Sequence, residues 1–368
     1  MTGINRRKFS LLIAGAALSP GLLQAANNPP LLLSAAQDQQ GKNHLIMLDQ
    51  TGGVLLKHRL PGRAHHVALH PDKPWAAAIA RRPERFIDLV NYKTGQLIQR
   101  IIAEQAYHFY GHAIFSPDGR FLISSENRLT DGQGVIVVRD LTQQAIVVAI
   151  HRSYGTGPHE LALMPDGTTL VVANGGIKTH PNKGRKKLNL DSMQPSLVYM
   201  NWQTGLLIEQ QFMPGALHQL SMRHLAINQQ GTAMIALQYQ GPLYDDVPLV
   251  AVHRQGQALK LLRAPEQVNA AMKQYCGSVR FDQSGNFAAI SSPRGNLVTF
   301  WDLRADQFVT QCTIRDACGL AATPQAGEFM ISNGSGRLYR FDLNHMQKQR
   351  LPLSLTGPMA WDNHMSPV

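Results

Sequence analysis

The sequence predicts an all-β chain folded as a single seven-bladed β-propeller of four-stranded blades, its last blade closed by the N- and C-terminal strands together. Three observations predict it. A Pro/Asp/Gly turn recurs along nearly the whole chain, a second hairpin lies between successive turns, and each chain end holds the strands the other lacks.

The turn is clearest at Phe115-Ser116-Pro117-Asp118-Gly119 and at Leu163-Met164-Pro165-Asp166-Gly167, with His70-Pro71-Asp72-Lys73 as a third copy. Looser copies end at Gly231, Gly285 and Gly327. Each joins two apolar stretches, with Pro presetting the turn and Gly supplying a positive φ, which is a hairpin signature. Positions 73, 119, 167, 231, 285 and 327 are spaced by 46, 48, 64, 54 and 42 residues. Second hairpins fall between them, at Phe86 to Ile98 around Gly95 and at Leu197 to Ile208 around Gly205. The stretch Val135 to Leu141 belongs to another, and Trp301-Asp302-Leu303 and Phe341-Asp342-Leu343 share one aromatic-Asp-Leu ending. Two hairpins in a period near the forties make one WD40-like blade. The tail from Gly357 to Asp362 reads as a lone inner strand, and Pro30 to Ala35, Leu45 to Asp49 and Gly53 to Leu56 read as the three strands missing beside it. Six internal repeats and this composite make seven blades and leave no dangling edge.

Composition agrees. The 368 residues are 44% hydrophobic and only 16% charged, with 31 Gly and 21 Pro, as expected of many short strands and tight turns. Three cysteines exclude a disulfide-dense scaffold and a Cys-rich zinc module. Ahead of the repeats, Arg6-Arg7-Lys8-Phe9, an apolar run from Leu11 to Leu18, and Ala25-Ala26 have the layout of a signal peptide. The paired arginines resemble a twin-arginine signal, ranked above a general secretory signal or an uncleaved anchor. The predicted organisation is a signal over 1–26, cleaved within 23–27, and the propeller over 27–368. A periplasmic product follows, soluble and not inserted in the membrane after cleavage. The formal charge of +11 falls to +8 once Arg6, Arg7 and Lys8 are removed. Export from the cytoplasm, and the lack of a recognition helix, exclude nucleic acid as partner.

The leader, the Pro-Asp-Gly repeats and the terminal Trp361-Asp362-Asn363-His364-Met365 are similar to the domain-of-unknown-function 1513 family over essentially the whole chain. The resemblance implies an exported bacterial seven-bladed propeller. It also implies a setting of iron acquisition, since genes of the family often lie near those of imelysin-like proteins and a di-haem oxidoreductase. A periplasmic protein partner from an iron-uptake system is the corresponding expectation. The family brings no reaction and no catalytic residue.

The residues offer no hydrolase, dehydrogenase or haem-attachment motif. They do offer a positional series. His66, His112 and His224 each stand seven residues before their turn position, and His159 stands eight before with Glu160 in the matching slot. Those positions begin the innermost strands, which border a propeller's channel. Neutral imidazole ligates iron, copper and zinc, so His66, His112, His159, His224 and Glu160 are the candidate metal site. The competing reading makes the histidines fasteners between blades. Cys276 and Cys318, each nine residues before its turn and followed by Gly, form a second series, read first as buried thiols and otherwise as soft ligands or a disulfide. Asp362 and His364 add polar groups at a channel mouth, Asp362 also as a carboxylate able to orient a histidine. The segment 175–195 breaks the period with five basic residues and one acidic one. It reads as a solvated loop or as an electropositive rim for an acidic partner or anionic ligand. The expected function is binding of a ligand, metal or protein partner by a monomer, in iron or other metal handling. A metal-dependent enzyme with its site in the channel and a pure interaction scaffold are the alternatives.

Overall fold

The computed structural model describes residues 30–81, 83–184, 186–355 and 359–368. The leader over 1–26 and the residues Gly357 and Pro358 lie outside them. Seven antiparallel sheets of four strands each stand around a central axis, in the predicted architecture. Blade 1 runs from Ala64–Leu69 through Trp75–Ala80 and Phe86–Asn91 to Leu97–Ile102. Blades 2 to 6 repeat this order from inner strands Tyr107–Phe115, Pro158–Leu163, Leu220–Ile227, Ser278–Phe281 and Ala317–Ala322. Blade 7 is composite. Met359–Pro367 forms its inner strand and pairs antiparallel with Pro30–Asp38, which continues into Asn43–Asp49 and Val54–Arg59. Successive inner strands pack on one another around the full ring, the last against the first.

The core lies between the blades. A blade covered on both faces needs apolar side chains in both phases of the strand. The second strand of blade 1 has them: Ala76, Ala77, Ala78, Ile79 and Ala80 are all fully buried. Separate apolar clusters join blade 7 to blade 1, blade 1 to 2, 2 to 3, 5 to 6 and 6 to 7, and one larger cluster joins 3, 4 and 5. The predicted turns form as hairpins. Gly119 takes a φ of +68°, and a Cβ there would lie 2.3 Å from the ring of His70 in the neighbouring blade. Among the described residues no helix is long and apolar enough to cross a membrane.

Candidate functional site

Register shifts recur in the inner strands, as they do in several outer pairs. The pairing register shifts between Ala64 and His66 in blade 1, Phe109 and Ala113 in blade 2, and Pro158 and Leu161 in blade 3. It shifts again between Met222 and His224 in blade 4, Ala317 and Leu320 in blade 6, and opposite Trp361 to Met365 in blade 7. A bulge breaks the strict in-out alternation of a strand and re-aims its side chains. Neighbouring residues can then both turn toward the axis.

The result is a packed group of imidazoles inside the channel. His65, His66, His112, His159, His224 and His364 are all buried. Ring centroids lie 4.6 Å apart for His159 and His224, 4.7 Å for His112 and His364, and 4.8 Å for His65 and His364. His66 stacks on His112 at 5.0 Å. Two groups have ligand atoms within 4.8 Å of one another: His112, Glu160, His224 and His364, and His65, His159 and His224. Nitrogens around a tetrahedral ion with ~2.0 Å bonds stand roughly 3.3 Å apart, so pairs near the 4.8 Å limit would have to draw closer to hold one.

Two buried carboxylates stand behind the rings. Asp362 meets His65 Nδ1 at 2.8 Å, and its second oxygen accepts from Arg63 Nε at 2.5 Å. Glu160 meets His224 Nδ1 at 3.0 Å, and its other oxygen accepts from Arg280 at 3.3 Å. A neutral ring that donates Nδ1–H to a carboxylate keeps its lone pair on Nε2, the tautomer a metal ion requires. Burial opposes ionisation of Glu160, but the His224 hydrogen bond and then Arg280 hold its carboxyl down to about 2. Burial likewise opposes ionisation of Asp362, which His65 and Arg63 outweigh. The imidazoles shift toward neutrality. Burial, then the Arg81 charge, brings His65 to about 3, and burial brings His66 to about 4. Burial holds His112, His159 and His364 well below the ordinary histidine value and lowers His224 too.

Seven ring nitrogens in this group are buried without a hydrogen-bond partner: His65 Nε2, His66 Nδ1, His159 Nδ1 and both nitrogens of His112 and His364. Buried polar atoms are nearly always satisfied, and leaving one unpaired costs about 1–3 kcal/mol. Fasteners between blades would be bonded to backbone or hydroxyl groups, and these nitrogens are not.

The structure therefore brings His66, His112, His159, His224 and Glu160 together, with His364 and Asp362 among them. His66 lies at the edge and belongs to neither ligand group. The cysteines belong to neither ligand group. Cys276, Cys312 and Cys318 are free buried thiols, and burial pushes Cys276 and Cys318 up to about 12, which keeps them protonated. Cys276 donates to Leu249 O, and Cys318 lies on Ser332 and lines a hollow of about 360 Å³ between blades 6, 7 and 1. Sequence reasoning missed His65, because counting back from each turn selects one residue per strand and the bulge presents two. The doubled His65-His66 at one strand start was the available signal.

No curated protein sequence matches significantly. Among solved structures, the fold is similar to the one titled Kuenenia stuttgartiensis Hydrazine Synthase, with a TM-score of 0.61 over 91% of this chain and 99% of that chain, at 14% identity. That likeness concerns the fold alone. The family described as protein of unknown function (DUF1513) matches residues 58–368, from the outer strand of the composite blade to the C-terminus, and the chain belongs to that family.

Proposed function

We propose that this propeller is an exported, periplasmic metal-binding protein that holds one transition-metal ion in the imidazole cluster around His224. A propeller of this family suits a binding or scaffold role, and the channel is where binding chemistry is concentrated. The observation that carries the reading is the set of seven unpartnered, buried ring nitrogens on convergent histidines. Neutral imidazoles with a carboxylate suit zinc, copper or iron in preference to magnesium or calcium. His224 is central because it belongs to both ligand groups.

The test is elemental analysis of protein matured through its own export route, followed by calorimetric titration of stripped protein with Zn²⁺, Cu²⁺ and Fe²⁺. One ion per chain is expected, with His224→Ala weakening binding at least roughly a hundredfold while the fold persists. Loss in His65→Ala with little change in His112→Ala assigns the ion to the His65 side, and the reverse assigns it to the Glu160 side. Wild-type protein that takes up none of the three metals refutes the reading.

A further inference from the structure

Leu243 and Tyr244 are the most exposed large apolar residues among those described, at 86% and 87%. They stand side by side on the loop that joins the second strand of blade 4, Thr232–Tyr239, to the third, Val250–Arg254. Apolar side chains displayed together in this way mark an interaction site more often than a single exposed residue does. The loop that displays them is fastened. Gln274 Nε2 donates to the carbonyls of Pro242 at 3.0 Å and Asp245 at 2.7 Å. The Asp245 carboxylate accepts from the Tyr239 hydroxyl at 2.6 Å, and that of Asp246 accepts from Asn269 at 2.9 Å and from Arg263. A hollow of about 390 Å³ adjoins the two side chains, with Val247, Leu249 and Ala270 in its wall. Its other charged lining residues, Glu266 and Lys273, bring one charge of each sign.

The segment that breaks the repeat period is the equivalent connection of blade 3, between Thr169–Asn174 and Ser196–Asn201, so it emerges on the same face of the ring. The two connections touch. Lys187 Nζ donates to Gln240 Oε1 at the start of the blade 4 loop, and Lys187 and Leu243 line one opening. Beside Lys187, the exposed ammonium groups of Lys183 and Lys186 have neither a hydrogen bond nor an ion pair among the described residues. Leu188 adds a further exposed apolar side chain. An apolar centre edged by charge is the anatomy of a protein interface. The carboxylates of Asp245 and Asp246 are engaged within their own loop, while Lys183 and Lys186 are not, so the charge left for a partner is positive.

We infer that this face of blades 3 and 4 docks a segment of a partner protein that carries an apolar side chain beside acidic residues. The apolar side chain enters the hollow next to Leu243 and Tyr244, and the carboxylates meet Lys183 and Lys186. The acidic residues next to the apolar tip disfavour an anionic lipid surface, which would attract a wholly basic patch. The docking surface does not depend on the metal reading.

The test places a photo-crosslinking side chain in the full chain, as Tyr244→benzoylphenylalanine, in the cells that make the protein. Gln349→benzoylphenylalanine, on the exposed outer strand Gln347–Leu351 of blade 6, is the control. A discrete protein adduct is expected at position 244 and not at 349, and mass spectrometry should map it to a segment with an apolar residue among Asp and Glu. A synthetic peptide of that segment should bind the purified chain in calorimetry, more weakly as salt is raised. Lys183→Glu/Lys186→Glu and, separately, Leu243→Ser should each weaken it roughly tenfold, while Lys183→Arg/Lys186→Arg binds as wild type does. All three positions are exposed, and unchanged melting temperatures establish that the variants fold. His224→Ala should give the same adduct as wild type, which separates this result from the metal titration. No protein adduct at position 244, an adduct only with lipid or with a second copy of this chain, a mapped segment without acidic residues, or wild-type affinity in the charge-reversed variant overturns the inference.

Discussion

His65 and His224 show how much one side chain's surroundings decide. Burial keeps each ring neutral even though the carboxylate on its Nδ1 favours the protonated form, and the second nitrogen stays available. Neutrality sets the pH behaviour. In the unfolded chain these rings protonate near the ordinary value of about 6.5. In the folded chain they do so far lower, His65 at about 3 and His66 at about 4. As pH falls below about 6.5 the unfolded state takes up protons that the folded state refuses, so stability falls, by on the order of 1 kcal/mol per pH unit for each such ring. The depressed carboxyls of Glu160 and Asp362 add to the loss only below about pH 4, where their unfolded counterparts protonate. Thermal melts of metal-free protein should therefore drop steadily from pH 7 to 4.5, and His364→Gln should flatten that drop. A melting temperature unchanged over this interval would contradict neutral burial. Imidazoles with the ordinary pKa would lose metal affinity as pH falls through the histidine range. Rings already neutral in the fold move that loss lower, so affinity at pH 5 should stay within about threefold of that at pH 7.

At the scale of the element, the inner strand with its bulge is the unit that builds the site. Each bulge adds an unpaired residue to a strand otherwise fixed by its neighbour, and the histidines ride on that irregularity. In blade 2 the bulge contains Gly111, at a φ of +105°, where a Cβ would lie 2.9 Å from the His65 ring. Gly111→Ala should cost roughly 1–3 kcal/mol and displace His65. Denaturant unfolding and metal titration together test this, because a merely strained turn would lower stability with metal affinity unchanged. The segment 175–195 is more than a solvated loop. Thr179 is buried, its hydroxyl meets that of Tyr110 at 2.9 Å, and its carbonyl accepts from Asn127 at 3.2 Å. Asn189 ties the segment's far side back to Gly176 and Lys178. Blades 5 and 6 place Gly277 and Gly319 where the other inner strands carry site residues, and Arg280 reaches Glu160 from blade 5.

At the scale of the whole molecule, ring closure makes the cluster possible. His364 and Asp362 lie on the last strand and His65 on the inner strand of the first blade, and they meet because Met359–Pro367 packs against Ala64–Leu69. Ser34 Oγ donates to His364 O at 2.7 Å, so the N-terminal strand also fixes the C-terminal ligand. Both termini must be placed before the site exists. On the proposed twin-arginine reading, replacing Arg6 and Arg7 together with Lys should leave precursor in the cytoplasm, because the receptor of that route reads an arginine pair. Fractionation with immunoblotting checks it, and normal periplasmic accumulation would exclude twin-arginine export.

The number of blades, the shared last blade and the strand that borders the axis were legible in the sequence because turn chemistry is local. Pro-Asp-Gly specifies a hairpin wherever it stands, and its repetition counts the blades. The recurrence of His66, His112 and His224 at one phase of that repeat, with His159 one residue off it, was legible for the same reason. The partnership of His65 with Asp362 across 297 residues was not, nor was the meeting of Lys187 with Gln240 between neighbouring blades. Those depend on the register shifts of the inner strands and on the angle at which the ring closes. Both are settled by packing between blades, which no single stretch of sequence contains.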